Sequence, residues 1–271
     1  MFFLSAMLAS SLAAAADRPI IFHEVILPTG SLFVPSDWQP REDKADLLVF
    51  FHGHPPTVRS NLVRSRKSAA LVVINFNGLS AAYAKPFEDT NLFGKILTNA
   101  RKELSRQSGR ELTQGKLAVA SFSAGYGAVR EILKQRTWRE QITDLVLADS
   151  LYAGYVERDG ANAVNPEHVR DFIRFAQRAA RREATMIVTH SEQVPGGYAS
   201  TTETADELLR ALDARRFRTS AEFSPPGMEL RSWGGLRGVQ VLGYRGDTPE
   251  DHMNHLRNVA EALKLTSLPN R

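Results

Sequence analysis

The chain has 271 residues, 43% of them apolar, enough for one large domain to bury a substantial core, and it contains no cysteine, so disulfides are not used. Lysine and arginine outnumber aspartate and glutamate 34 to 30, a formal net charge of +4. That excess favours weak attraction to anionic envelope surfaces; with no RNA-binding signature, helix-turn-helix or aromatic stacking platform, nucleic acid is excluded as a partner.

In chain order, residues 1–16 (MFFLSAMLASSLAAAA) carry no charge and end in Ala-x-Ala before Asp17. The apolar stretch is too short to span a bilayer and stops at small residues. It predicts a cleaved export signal and hence a periplasmic or secreted protein, although no basic residue precedes it; a retained membrane anchor is the alternative. No cysteine follows for lipid attachment, and no second apolar stretch approaches transmembrane length.

Residues 17–271 read as one domain of alternating β-rich runs and amphipathic helical segments, the pattern of a three-layer α/β sandwich with a mostly parallel sheet. Strands are predicted at Ile20–Leu27 and Ser31–Pro35, then at Asp46–Phe51 (DLLVFF) and Ala69–Asn75 (AALVVIN), whose continuous apolar character is that of buried central strands. Asn91–Gln107 spaces Leu92, Ile96, Leu97, Ala100 and Leu104 as a helix that Gly109 stops. Lys116–Ala120 (KLAVA) is a strand running into Ser121-Phe122-Ser123-Ala124-Gly125, with a helix over Ala124–Gln135 and a strand over Thr143–Ala148. Residues 150–183 interrupt the alternation and read as a small cap insertion. Within it Asn165-Pro166-Glu167 starts a helix with Val169, Phe172, Ile173, Ala176 and Ala180 on one side, and a solvated face of Arg170, Arg174, Arg178 and Arg181 on the other. Ala184–Thr189 resumes the sheet, Ser200-x-x-Glu203 opens a helix through Leu212, and Val239–Tyr244 is the last strand. His252 introduces a final helix carrying Leu256, Val259, Ala260 and Leu263.

Three stretches hold residues able to do chemistry. Ser121-Phe122-Ser123-Ala124-Gly125-Tyr126-Gly127 lies between an apolar strand and a helix, where a nucleophilic serine is presented on a strained turn with small neighbours two positions either side. Ser121 stands where glycine is usual. Phe51-His52-Gly53-His54-Pro55-Pro56 follows a buried strand, where a backbone N–H of Gly53 or His54 can join that of Ala124 in an oxyanion hole; the prolines have none to give. His52-x-His54 also has the spacing of a metal pair, but His23, His168, His190, His252 and His255 add no organised third ligand, so neither metal nor other cofactor is expected.

The third stretch, Gly246 to His252, places His252 after the last strand as the general base, with His255 three residues on as a substrate contact. The acid that orients the base is Asp149, at the end of a strand, or alternatively Glu192 after the following strand, with Asp247 and Asp251 further options. Tyr152, Tyr155 and Tyr198 are candidates to line a substrate pocket, Tyr152 foremost because it follows Asp149 in a turn facing the site.

The order of strands, His-Gly loop, serine elbow and late histidine resembles the α/β-hydrolase superfamily over about residues 20–265. The resemblance implies an eight-stranded, mostly parallel sheet and a Ser-His-Asp/Glu triad carried by Ser123 and His252 with the acid. The expected activity is that of a serine esterase: hydrolysis of a small-molecule carboxylic ester or amide through an acyl-enzyme on Ser123. An amidase or peptidase acting on cell-wall or peptide substrates, a metal-dependent hydrolase built on His52 and His54, and a binding protein on the same scaffold are the alternatives.

Overall fold

The computed structural model describes residues 19–219 and 224–271; the expected export signal, residues 1–16, lies outside them. Strands run over Phe22–Ile26 (β1), Ser31–Pro35 (β2), Lys44–Phe51 (β3), Ala70–Ile74 (β4), Thr113–Phe122 (β5), Asp144–Ala148 (β6), Tyr155–Arg158 (β7), Ala161–Val164 (β8), Thr185–His190 (β9), Arg216–Arg218 (β10), Leu230–Leu236 (β11) and Val239–Tyr244 (β12). Helices cover Pro55–Arg64 (α1), Ser80–Phe87 (α2), Leu92–Ser108 (α3), Tyr126–Lys134 (α4), Arg136–Gln141 (α5), Pro166–Ala180 (α6), Thr201–Ala211 (α7), Pro249–Arg257 (α8) and Val259–Lys264 (α9).

Among the described residues one sheet of ten strands has the order β1-β2-β4-β3-β5-β6-β9-β12-β11-β10. The run from β4 to β12 is parallel, and antiparallel pairs close both ends. This is the α/β-hydrolase arrangement. The sheet is ten-stranded rather than the expected eight. The two added strands are β10, only three residues long, and β11, whose sequence LRSWGGL mixes charge with a glycine pair and lacks an apolar run.

Side chains alternate between two helical layers, as the strand period demands. Leu47, Val49 and Phe51 of β3 join the core under α2, α3, α4, α6 and α7, whereas Leu48 and Phe50 join that under α1, α8 and α9. Each such fully buried side chain is worth about 1.5–3 kcal/mol of burial free energy. All six parallel strands therefore end at one edge of a doubly covered sheet, the edge where loops build a site.

Within 150–183 the chain forms the hairpin β7–β8 and then α6, which buries Phe172, Phe175, Ala176 and Ala179 in the main core beside the sheet. The arginine face of α6 is not uniformly solvated. The Arg178 guanidinium is largely covered and donates to the carbonyls of Arg139 and Ile142 at 2.7 Å, tying α6 to the end of α5. No helix among the described residues is long and apolar enough to cross a membrane.

Candidate active site

Strands β5 and β6 pair with Phe122 opposite Ala148, so the next residues, Ser123 and Asp149, emerge side by side at the carboxyl edge of the sheet. Both adopt left-handed backbone, with φ of 48° and 44°, and His52 after β3 does the same at 62°. Such conformations cost non-glycine residues of order 1–3 kcal/mol and persist only where the surroundings impose them. At Ser123 the constraint is the chain's sharp turn from β5 through a short 3-10 turn, Ser123–Gly125, into α4. The turn works because nothing projects from Gly125, where a Cβ would sit 2.5 Å from the Phe51 carbonyl oxygen, or from Gly127, where one would strike the Ser80 carbonyl oxygen. Ser121, found where glycine is usual, is buried and accommodated by hydrogen bonding. Its Oγ lies 2.8 Å from Ser150 Oγ, which donates onward to the Ser123 carbonyl at 2.8 Å.

Asp149 has no exposed surface. Its carboxylate accepts from the Ser191 N–H at 3.0 Å, Ser191 Oγ at 2.7 Å, Thr201 Oγ1 at 2.5 Å and His252 Nδ1 at 2.7 Å. Burial by itself would raise the pKa of the acid. The hydrogen bond from His252, the nearby His255 and the Thr201 hydroxyl outweigh it and hold the carboxyl well below the usual carboxylate range. The partners Ser191 and Thr201 went unrecognised in the sequence; Thr201 is the first residue of α7, directly after the capping-box Ser200 that the sequence does reveal.

His252 sits one turn inside α8 rather than on the preceding loop, because the Thr248–Asp251 capping box with Pro249 in the first turn starts the helix at Pro249. Its imidazole is 15% exposed and packs 4.5 Å from the Phe122 ring; His52 stacks 6.0 Å from that same ring. His252 and Ser123 line one cavity of about 330 Å³, together with Ala124, Tyr126, Arg130, Tyr152 and Tyr198. Among the described residues no hydrogen bond involves Ser123 Oγ, whereas the Ser123 carbonyl accepts from Ser150 Oγ.

The loop after β3 is fixed by Asn75, at the end of β4. Its Oδ1 accepts the Gly53 N–H at 3.0 Å and its Nδ2 donates to the Gly53 carbonyl at 2.9 Å. Of the two loop donors the sequence offers, the Gly53 N–H is thus engaged by Asn75, whereas the His54 N–H has no hydrogen-bond partner among the described residues. The His52 and His54 rings do not converge. His52 Nδ1 meets the Tyr83 hydroxyl at 2.7 Å and His54 Nδ1 meets Thr57 Oγ1 at 3.3 Å; the described residues hold no group of three or more His, Asp or Glu side chains placed to bind a metal.

Other expected site residues fall elsewhere. Glu192 binds the β12–α8 loop, accepting the Gly246 N–H at 3.0 Å and pairing with Arg231 at 3.3 Å, so it is not the partner of His252. Asp251 caps α8 and Asp247 is exposed. His255 is 2% exposed and bonded through Nδ1 to Thr189 Oγ1 at 2.7 Å. It lies outside the cavity lined by Ser123 and so is not a substrate contact there, because its helix position turns it beneath the site towards β9. Tyr152 and Tyr198 do line that cavity, whereas the Tyr155 hydroxyl donates to Glu203.

No family model and no curated protein matches the sequence. Similarity to solved structures is extensive in coverage and low in identity. An uncharacterised protein from Capnocytophaga ochracea superposes over 91% of this chain and 63% of its own, at 10% identity and a TM-score of 0.50. An esterase from Pyrobaculum calidifontis matches over 92% and 86% at 16% identity with a TM-score of 0.47, and Est1E from Butyrivibrio proteoclasticus over 90% and 96% at 14% with 0.39. At such identities the likeness is one of fold.

Proposed function

We propose that this chain is an exported serine hydrolase that cleaves a carboxylic ester or amide through an acyl-enzyme on Ser123. The observation that carries the reading is the hydrogen bond of 2.7 Å between the buried Asp149 Oδ2 and His252 Nδ1, with the His252 ring lining the same cavity as a serine held in strained backbone. Asp149 holds the proton of the neutral imidazole on Nδ1, leaving the Nε2 lone pair to accept the Ser123 proton as Oγ attacks the substrate carbonyl. The N–H groups of Ala124 and His54 receive the oxyanion; one such donor is worth about 3 kcal/mol of barrier. Imidazolium then protonates the leaving group, and water deacylates Ser123 by the same steps in reverse order.

The experiment is labelling with a fluorophosphonate. Wild-type protein is expected to take one adduct on Ser123 and the Ser123→Ala variant none; folded wild type that stays unlabelled overturns the reading. Export rests on residues 1–16 alone, and N-terminal sequencing of the periplasmic product in a bacterial host, expected to begin at Asp17, checks it.

A further inference from the structure

We propose that the cavity beside Ser123 receives an ester carrying a carboxylate, and that Arg130 and His168 form the subsite for that anion. The proposal rests on Ser123 being the nucleophile and specifies the substrate class.

The cavity wall is aromatic and donor-rich. The Tyr152 ring lies 5.5 Å from that of Tyr126 and 5.6 Å from that of Tyr198, and the three hydroxyls have no hydrogen-bond partner among the described residues. Arg130, one turn along α4 from Tyr126, holds its guanidinium 5.7 Å from the centre of the Tyr126 ring, and its side chain is only 21% exposed. Glu131 Oε1 approaches Arg130 Nε at 3.5 Å, but Lys134 Nζ occupies both Glu131 oxygens at 2.8 and 2.7 Å. Two cations thus share one carboxylate, so the Arg130 guanidinium has no carboxylate of its own to neutralise it.

His168, in the first turn of α6, adds a second donor. Its Nδ1 accepts the Gly154 N–H at 2.9 Å, which places the ring proton on Nε2. Burial, then Arg130 and Lys134, lower its pKa against the weaker pull of Glu167, so the ring remains a neutral N–H donor at neutral pH. No Asp or Glu lines the cavity among the described residues. A guanidinium, an imidazole N–H and three phenols call for an acceptor-only group, and a guanidinium without a carboxylate partner of its own suits a carboxylate that it can grip in a fork. An alkyl chain would leave these donors desolvated and unpaired.

The test compares mono-4-nitrophenyl glutarate with 4-nitrophenyl pentanoate, and 4-carboxyphenyl butanoate with phenyl butanoate. The first pair puts the carboxylate on the acyl side, the second on the leaving group. In one pair the anionic ester is expected to have at least a tenfold higher kcat/KM, mainly through KM, and 0.5 M NaCl to shrink that advantage several-fold. Arg130→Gln is expected to cut the anionic-to-neutral ratio at least tenfold, and Arg130→Lys to retain part of it. Preference for the neutral ester in both pairs, or a ratio that Arg130→Gln leaves unchanged, overturns the proposal. The two readings fail separately. Wild type without a fluorophosphonate adduct removes the nucleophile, while the subsite is judged by calorimetric binding of monomethyl glutarate, which carries one carboxylate, to Ser123→Ala protein. There an Arg130→Gln substitution that leaves Kd unchanged overturns it.

Discussion

Asp149 occupies the most demanding environment of any residue in the site: a fully buried carboxylate in left-handed backbone, satisfied by Ser191, Thr201 and His252. An asparagine there keeps the shape but presents an amide that either repels the Nδ1–H of His252 or favours the wrong tautomer. Asp149→Asn is therefore expected to lower kcat by about 10⁴ while the far-ultraviolet circular dichroism stays native. Ser121 makes a subtler case. Reverting it to the more usual glycine removes the Ser121–Ser150 hydrogen bond and adds backbone freedom to a central strand. Ser121→Gly is expected to destabilise by about 1–2 kcal/mol in urea denaturation rather than improve the turn.

At the scale of elements, the turn after β5 depends on how closely α4 packs under α2. Gly127 faces the Ser80 carbonyl with no room for a methyl group, whereas Gly109, at the end of α3 with φ 67°, has open space around it. Gly127→Ala is expected to cost about 1–3 kcal/mol by overpacking and to lower activity by shifting Ser123. Gly109→Ala is expected to cost about 1–2 kcal/mol of backbone strain while leaving kcat/KM unaltered. Chemical denaturation with parallel kinetics separates the two. The start of α7 is a second junction of this kind: its capping box on Ser200 fixes the position of Thr201 and so one of the hydrogen bonds to Asp149. A cap is legible in sequence; what the capped helix points at is not.

For the whole molecule, acid is the expected weakness. His190 is buried and bonded to Thr202 and Arg216; burial, then the charges of Arg216 and Arg231, lower its pKa to about 3. Burial likewise lowers that of His255 to about 4. In the unfolded chain both titrate near 6.5. Below that value the unfolded state binds protons that the folded state refuses, so stability falls as pH falls. The loss begins near pH 6.5 and ends near pH 4 for His255 and near pH 3 for His190. Each histidine contributes a slope of roughly 1.4 kcal/mol per pH unit. Unfolding free energies at pH 7, 6 and 5 are expected to show an uptake to which these two rings contribute nearly two protons and His168 and His52, also lowered by burial, add further, and His255→Gln to remove about one proton. A flat profile over that range contradicts the burial of both rings.

What the chain makes legible locally are the continuous apolar runs of β3, β4, β5, β6 and β9, the small residues around Ser123 and the strand-terminal position of Asp149, because burial and backbone strain select residue types at the site of the strain itself. The short and charged strands β10 and β11, the Asn75 clamp on Gly53, the Thr201 donor and the presence of His168 and Arg130 around one cavity have no such local mark. They arise from the order in which strands cross over in the sheet and from the angle at which helices pack on it. Tertiary packing also chose Asp149 over Glu192 as the partner of His252: both follow neighbouring parallel strands, but only Asp149 is turned inward beneath the imidazole, while Glu192 is drawn away by Arg231 and Gly246.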